Sequence, residues 1–93
     1  MDTQNYVKIA DYALLADLRS KKVIVGAKQL RKALQKGVAT QVFLAVNADP
    51  VLTQPIMELC EGCKAEYFWV RTMAELGSAC GIDVGAAAAA VVG

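Results

Sequence analysis

Segments with the apolar spacing of helices alternate with short apolar runs, and this alternation constrains the fold more than any other feature of the sequence. The helical segments are residues 5–18, 27–36, 53–62 and 72–81, and the apolar runs are 22–25, 42–46, 66–70 and 86–92. Repeated helix–strand pairs are typical of an α/β protein whose helices cover both faces of a sheet. We therefore predict a three-layer α/β/α sandwich around a largely buried sheet.

Local signals predict where several of these elements begin and end. Thr53 is placed to cap the third helix, so that Pro55 falls in its first turn. Thr72 and Glu75 have the spacing of a capping box at the start of the fourth helix, and Gly37 closes the second. The alanine-rich end is ambiguous, because alanine favours a helix but so short a helix is marginal. We interpret it as a final strand.

The chain is short, with 93 residues, and 56% of its side chains are hydrophobic. These values predict one domain spanning residues 1–93, with an amino-terminal helix in residues 1–20 packed on it. No apolar run approaches the ~20 residues that a membrane span needs. Residues 1–5 also lack the basic and then apolar order of a secretory signal. We expect a cytoplasmic protein that has no membrane partner.

Few side chains suited to catalysis are present. The chain has no histidine, which removes the commonest general base and zinc ligand, and neither Ser20 nor Ser78 lies in a hydrolase motif. Cys60 and Cys63 form a Cys-x-x-Cys motif at the carboxyl end of a predicted helix, where the helix dipole does not activate a thiol. Core packing is the favoured role for Cys60. A thiol oxidoreductase is the enzymatic alternative.

Basic residues are concentrated in one third of the chain, although the net charge is only +1. No acidic residue lies between Asp17 and Asp49. The seven basic residues of this third are Arg19, Lys21, Lys22, Lys28, Arg31, Lys32 and Lys36. A solvated helix face is the ordinary explanation of such a run. The missing counter-charges favour binding of a polyanion instead, since structural surfaces normally mix both signs.

Gly26, between the first strand and the second helix, is typical of a turn that binds an anion. A lone glycine is a weak signal, because easing a tight turn explains it equally well. The free N–H groups of the helix that begins after Gly26 favour an anion, and Lys28 and Gln29 lie at the same end. The helical spacing also places Lys32 above Lys28. This helix is predicted to present amide and ammonium groups to a negatively charged ligand.

The segment at residues 81–85 is expected to be an exposed loop, and it contains two apolar residues between glycines. Two interpretations of Ile82 and Val84 remain open. In the first, both side chains fold back into the core. In the second, they form an exposed apolar surface on which an unstacked RNA base rests.

Two segments resemble the signatures of a known protein family. The first runs from Gly26 to Gly37 and continues through the apolar strand to the turn at residues 47–50, and the second spans residues 76–86. Both are similar to segments of the kink-turn RNA-binding proteins. That family includes archaeal ribosomal protein L-seven-Ae, its L-thirty-e relatives and the small bacterial YbxF-like proteins, which this chain resembles most. The similarity covers about residues 22–92.

The resemblance implies both a fold and a function. The implied fold is an α/β/α sandwich with a central four-stranded mixed sheet, which requires a strand at the alanine-rich end. The implied function is that of a non-enzymatic protein that recognises and stabilises kink-turn RNA, which carries a bulge and tandem sheared G·A pairs. The implied partner is such an RNA, with the ribosome as a further candidate. We expect a monomer that uses no cofactor and no metal.

The resemblance also implies which residues bind the RNA. The turn at Gly26 lets the backbone approach, Lys28 and Gln29 meet guanine edges, and the loop at residues 82–84 covers the flipped-out nucleotide. Lys32 falls on the basic helix position of the family, and Lys36 contacts phosphate. The full set is Gly26, Ala27, Lys28, Gln29, Lys32, Lys36, Ile82, Asp83 and Val84.

One departure from the family pattern concerns base recognition. Archaeal members usually have Asn-Glu where this chain has Lys28-Gln29. A glutamine amide still donates and accepts hydrogen bonds, but it lacks the strong acceptance of a carboxylate, so altered affinity is expected. A protein–protein adaptor of the same fold that does not bind RNA is the alternative function, since a fold does not fix a function.

Overall fold

Helices and strands alternate in the computed structural model, which describes residues 8–93. The helices are α1 (Tyr12–Asp17), α2 (Ala27–Lys36), α3 (Pro50–Cys63) and α4 (Met73–Ala79), and the strands are β1 (Val23–Val25), β2 (Ala39–Ala45), β3 (Tyr67–Val70) and β4 (Ala88–Val92). A single 3₁₀ turn, Leu18–Ser20, follows α1. Within residues 8–93, no helix is both long and apolar enough to cross a membrane.

The strands form one mixed sheet in the order β1-β4-β2-β3. β4 runs antiparallel to both of its neighbours, with Ala90 opposite Ile24 on one side and Val42 on the other. β2 and β3 are parallel, and α3 supplies the crossover connection that parallel strands need. The predicted four-stranded mixed sheet and the predicted strand at the alanine-rich end are both confirmed.

Each face of the sheet is covered by a different pair of helices. Alternate residues of β2 point to opposite faces, so Phe43 packs with Leu18 and Leu76 on one face, which we call the α1/α4 core. Val42 and Leu44 pack on the other face, the α2/α3 core, whose helix residues include Leu30, Leu34, Ile56 and Cys60. The three-layer sandwich is therefore confirmed. The role predicted for Cys60, core packing, is confirmed as well.

Three of the five residues of β4 are alanine, and the strand lies in the middle of the sheet. Ala88, Ala89 and Ala90 are all 0% exposed. Ala88 and Ala90 belong to the α2/α3 core, whereas Ala89 belongs to the α1/α4 core. Because their side chains are small, helices can approach this strand closely from both faces.

The first helix begins later than predicted. The spacing predicted a helix over residues 5–18, of which residues 5–7 lie outside the described part of the chain, as do residues 1–7 of the predicted amino-terminal helix. α1 begins at Tyr12 because the side chain of Asp11 accepts a hydrogen bond from the Leu14 N–H at 2.9 Å and caps it. Before that cap, the Trp69 N–H donates to the Lys8 carbonyl and the Ala10 N–H donates to the Trp69 carbonyl. These residues pair with the edge of β3 instead of extending the helix.

The start of α3 was also predicted wrongly. The helix begins at Pro50, and the Asp49 carboxylate accepts from the Val51 N–H at 3.0 Å. Asp49 followed by Pro50 is a favourable cap and first position, since proline has no N–H that would need a partner there. Thr53 is therefore buried inside the helix and Pro55 lies in its interior.

Two other predicted boundaries agree with the structure. α2 spans Ala27–Lys36 and ends at Gly37, whose φ of +75° lies in the left-handed region that favours glycine. The Thr72 hydroxyl accepts from the Glu75 N–H at 3.0 Å and caps α4.

Candidate nucleic-acid interface

The turn into α2 depends on glycine. Gly26 has a φ of +114° and a ψ of +134°, a conformation that side chains strongly disfavour. Its N–H donates to the Ala88 carbonyl at 3.3 Å, and its carbonyl accepts from the Leu30 N–H at 3.0 Å. Among residues 8–93, no atom lies within 4 Å of where a Cβ at this position would be. The backbone is thus fixed between β4 and α2 while its outer side stays open for a close approach.

No side chain in the described part of the chain caps the amino terminus of α2. The first turn contains no acidic residue, so its N–H groups and the helix dipole favour an anion. Ala27 is half-buried against the α2/α3 core. Lys28 and Gln29 are exposed. The first turn therefore presents one ammonium group and one carboxamide to solvent beside its free amides.

The basic residues of α2 lie opposite its buried side. Leu30, Ala33 and Leu34 are buried against the sheet, while Lys32 and Lys36 are exposed. Among residues 8–93, the ion pairs are Lys8–Glu66 at 2.9 Å and Lys21–Asp17 at 3.3 Å. The basic side chains of α2 therefore have no acidic partner within 4 Å in the described part of the chain. Lys21 belongs to the same basic third of the sequence, but it is paired with Asp17.

The two apolar residues of the loop before β4 have different environments. Ile82 is half-buried and packs against the α1/α4 core, whereas Val84 is 69% exposed. Asp83 is exposed between them. Of the two interpretations, folding back into the core describes Ile82 and is wrong for Val84.

Backbone contacts with α4 hold this loop in place. The Ile82 N–H donates to the Gly77 carbonyl and the Ala86 N–H donates to the Met73 carbonyl, both at 3.0 Å. A Cβ on Gly77 would collide with the Val84 carbonyl. The loop backbone is therefore seated on α4, and Val84 projects from a fixed base.

The sheet brings the turn and the loop to the same edge. β1 and β4 are antiparallel neighbours with Val25 opposite Ala89, so the carboxyl end of β1 lies beside the amino end of β4. Gly26 follows the first of these ends, and the loop of Val84 leads into the second. The two segments that the sequence singled out, although more than 50 residues apart, thus flank one end of adjacent strands.

Sequence reasoning missed two features of this surface. The first is the groove that Arg31, already counted in the basic third, lines together with Lys28 and Lys32; their spacing on a helix indicates a shared side but not the groove. Val46 is 58% exposed although its apolar run predicted a buried strand. β2 ends at Ala45, and the Ala45 N–H donates to the Ala87 carbonyl, which places Val46 next to the loop. No pattern in the sequence distinguishes this last valine from the buried ones.

Within the Cys-x-x-Cys motif, Cys60 has the environment of a structural residue and Cys63 is exposed. Burial raises the pKa of the Cys60 thiol to about 11, with Cys63 and Glu61 contributing. A thiol held so firmly in its protonated form is a poor nucleophile at neutral pH. Within residues 8–93, no three cysteine or acidic side chains are grouped as metal ligands would be.

The chain is similar to a defined family and to several bacterial proteins. Residues 10–93 match the family described as Ribosomal protein L7Ae/L30e/S12e/Gadd45. A protein of Caldanaerobacter subterraneus named as RNA-binding is 45% identical over 71 residues, which cover 76% of this chain and 87% of that one. The RNA-binding protein YbxF of Geobacillus stearothermophilus is 36% identical over 75 residues, covering 81% and 92%. A Bacillus pumilus protein, also named as RNA-binding, is 38% identical over 74 residues, covering 80% and 90%.

Solved structures share the fold at lower identity. The Giardia lamblia 15.5kD RNA binding protein superposes with a TM-score of 0.82 at 22% identity, over 100% of this chain and 84% of that one. A protein with unknown function from Bacillus halodurans C has a TM-score of 0.77 at 24% identity, with 85% and 83% covered. At these identities the likeness establishes the fold alone.

Proposed function

The chain belongs to the Ribosomal protein L7Ae/L30e/S12e/Gadd45 family, and on this premise we propose that it is an RNA-binding protein that recognises and stabilises kink-turn RNA. The observation that carries the proposal is the uncapped start of α2. The first turn of α2 presents free backbone N–H groups together with the side chains of Lys28 and Gln29. This turn lies at the same end of the sheet as the exposed Val84. Cations, hydrogen-bonding groups and an apolar surface are what a kinked RNA with an unstacked base requires.

Lys28 and Gln29 read base identity in this proposal. The glutamine carboxamide donates and accepts, so it can pair with the edge of a purine in a sheared G·A pair, and the lysine donates to guanine acceptors. The positive φ of Gly26 lets the backbone approach the RNA without a side chain between them. Ala27, which is small and half-buried, leaves the same approach clear.

Lys32 and Lys36 contact phosphates. A kink brings two backbone segments together, so it concentrates negative charge that cations must offset. These lysines have no acidic partner within 4 Å in the described part of the chain, and so their charge is available for the RNA. A protein that binds only the bent form draws the RNA into that form by mass action.

Val84 covers the nucleotide that leaves the bulge. Its side chain is exposed while its backbone is seated on α4, so an unstacked base can rest on it without displacing core residues. Asp83 accepts from a base N–H or a ribose hydroxyl. Ile82 supports the loop from beneath through its packing on the α1/α4 core.

We extend the proposal to the state of the protein. Residues 1–93 act as one domain and as a monomer in the cytoplasm, without enzymatic activity. Each protein molecule binds one kink-turn, and ribosomal RNA is among the candidate targets.

Binding to labelled RNA tests the proposal. A kink-turn RNA carrying a fluorophore on each stem is titrated with the protein, alongside a control RNA whose G·A pairs are replaced by Watson–Crick pairs. We expect compaction and tight binding of the first RNA only. Equal affinity for both RNAs, or binding without compaction, would contradict kink-turn recognition.

The protein–protein adaptor remains the second candidate because of Tyr12. This side chain is 86% exposed at an open groove between α1 and α4, which Leu15, Ala16, Ala74 and Ala79 also line. If the adaptor function holds, Tyr12→Ala abolishes partner binding in a pull-down and the kink-turn RNA does not compete.

A further inference from the structure

We propose that the groove between α2 and α3 binds the phosphate backbone of one RNA strand beyond the kink, an inference that rests on the proposed function. This α2/α3 groove is open and has a volume of about 700 Å³. The α2 wall consists of Lys28, Arg31, Lys32 and Gln35, and the α3 wall of Pro55, Glu58, Leu59, Gly62 and Cys63.

The two walls differ in charge. Lys28, Arg31 and Lys32 supply three cations on one side, whereas Glu58 is the single acidic residue on the other. Glu58 lies more than 4 Å from each of these cations, since none of them forms an ion pair with it. The Glu58 carboxylate accepts a hydrogen bond from the Gln54 side-chain amide at 3.5 Å. The groove is thus asymmetric, with an unneutralised cationic wall that favours a polyanion.

The groove continues the proposed recognition surface. Lys28 lies in the first turn of α2, close to Gly26, and the same residue lines the groove. The wall from Lys28 to Gln35 extends along about 10 Å of helix axis. A strand that runs beside a wall of this length passes it with more than one phosphate. A strand that leaves the kink at Gln29 therefore has a continuous path along α2.

The α3 wall leaves room for the sugars of that strand. Gly62 has no side chain, and a Cβ there would meet nothing within 4 Å. Pro55 and Leu59 are half-buried apolar residues of the same wall. Phosphates can therefore face Arg31 and Lys32 while the apolar wall contacts the riboses.

A pair of variants at Gly62 tests the charge of the groove. Gly62→Glu and Gly62→Gln add side chains of equal size in open space, and only the first adds a negative charge. We expect Gly62→Glu to bind kink-turn RNA about fivefold more weakly than Gly62→Gln, as for unit charges about 4 Å apart in water. Shortening the stem that follows the groove is expected to abolish this difference, whereas shortening the other stem leaves it unchanged.

Cys63 supplies an independent measurement. It is exposed in the groove, whereas Cys60 is buried and Cys80 half-buried. In a Cys80→Ala background, iodoacetate adds a negative group to Cys63 and iodoacetamide adds a neutral group of similar size. We expect the first product alone to lose affinity for RNA, and bound RNA to slow both reactions.

The outcomes separate the groove from the proposed function. Equal RNA binding by Gly62→Glu and Gly62→Gln, together with no protection of Cys63 by RNA, overturns the proposal that the groove binds an RNA strand. This holds even if the kink-turn is bound tightly. Equal binding of kink-turn and control RNA overturns kink-turn recognition, while the difference between the Gly62 variants on either RNA still tests the groove. Absence of all RNA binding overturns both.

Discussion

The peptide oxygen of Val84 occupies the space that a side chain on Gly77 would need. Gly77 is a buried residue of α4, and its own carbonyl accepts from the Ile82 N–H at 3.0 Å. One glycine therefore provides both the clearance and a hydrogen bond for the loop that displays Val84. The position of this part of the candidate interface is set by α4 and not by the loop itself.

The first prediction concerns this contact. Gly77→Ala should destabilise the protein by about 1–3 kcal/mol, because the added methyl group collides with backbone and not with a movable side chain. Gly62→Ala is the matched control, since it also replaces a helical glycine but in open space. It should stabilise by about 0.5–1 kcal/mol. Urea denaturation of the two variants decides, and a stabilised Gly77→Ala would show that the loop is not seated on α4.

The second prediction separates the two apolar residues of the loop. Val84→Ala should change the free energy of unfolding by less than about 0.5 kcal/mol, because the side chain is 69% exposed. It should nevertheless weaken kink-turn binding. Ile82→Ala should cost about 1–2 kcal/mol of stability through lost burial and a cavity. Melting curves and RNA titrations measure both, and unchanged RNA affinity of a folded Val84→Ala would remove this residue from the interface.

The third prediction distinguishes base recognition from phosphate attraction. Gln29→Ala should cost about 1–3 kcal/mol of binding free energy on a kink-turn and little on a plain duplex, because it removes hydrogen bonds to base edges. Lys36→Ala should weaken both RNAs alike and reduce the salt slope by about 0.7–0.9. Lys21→Ala serves as a control because that lysine is paired with Asp17. Equal losses on both RNAs for Gln29→Ala would exclude a role in recognition.

The fourth prediction concerns alkaline pH. Burial raises the pKa of Cys60 from 9.0 to about 11 in the folded protein, so the unfolded chain loses this proton first as the pH rises. The free energy of unfolding keeps its full value below about pH 9. It falls between about pH 9 and 11, by an amount on the order of 2–3 kcal/mol. Burial raises the pKa of Cys80 as well, which adds to the same slope, and it raises the pKa of Tyr67, which adds to the fall only above pH 10.0.

Comparison with variants isolates the contribution of Cys60. Cys60→Val keeps an apolar side chain in the α2/α3 core and should show a shallower fall in stability between pH 9 and 11. Cys63→Val, at an exposed position, should retain most of the slope, because burial is the largest cause of the raised Cys60 pKa and Cys63 only adds to it. Identical pH profiles for all three proteins would mean that Cys60 titrates normally.

The sequence predicted best where short-range signals and tertiary packing agree. α2 has the predicted bounds because its apolar stripe, the glycine before it and the glycine after it all favour the same ten residues. β4 was predicted correctly although alanine favours a helix, because the run is too short for an isolated helix and the sheet supplies partners on both sides. Here tertiary pairing decides against intrinsic propensity.

The errors lie where two local signals compete or where a tertiary partner is needed. Asp49 and Thr53 are both good caps, and Pro50 decides between them because proline is favourable at the first helical position. Pairing with Trp69 keeps Lys8 to Ala10 out of α1, which no local pattern indicates. The exposure of Val84 and the groove beside Arg31 likewise depend on how separate elements lie against each other.

The alanines of β4 have a consequence for how such a protein can change over time. A larger residue at Ala88, Ala89 or Ala90 would overpack one helix layer or the other, so this strand tolerates little substitution. Asp83 and Val84 lie only a few residues earlier, are exposed and contribute little to folding. If these side chains contact RNA as proposed, a lineage can alter its preference for RNA through them while inheriting the frame that presents them.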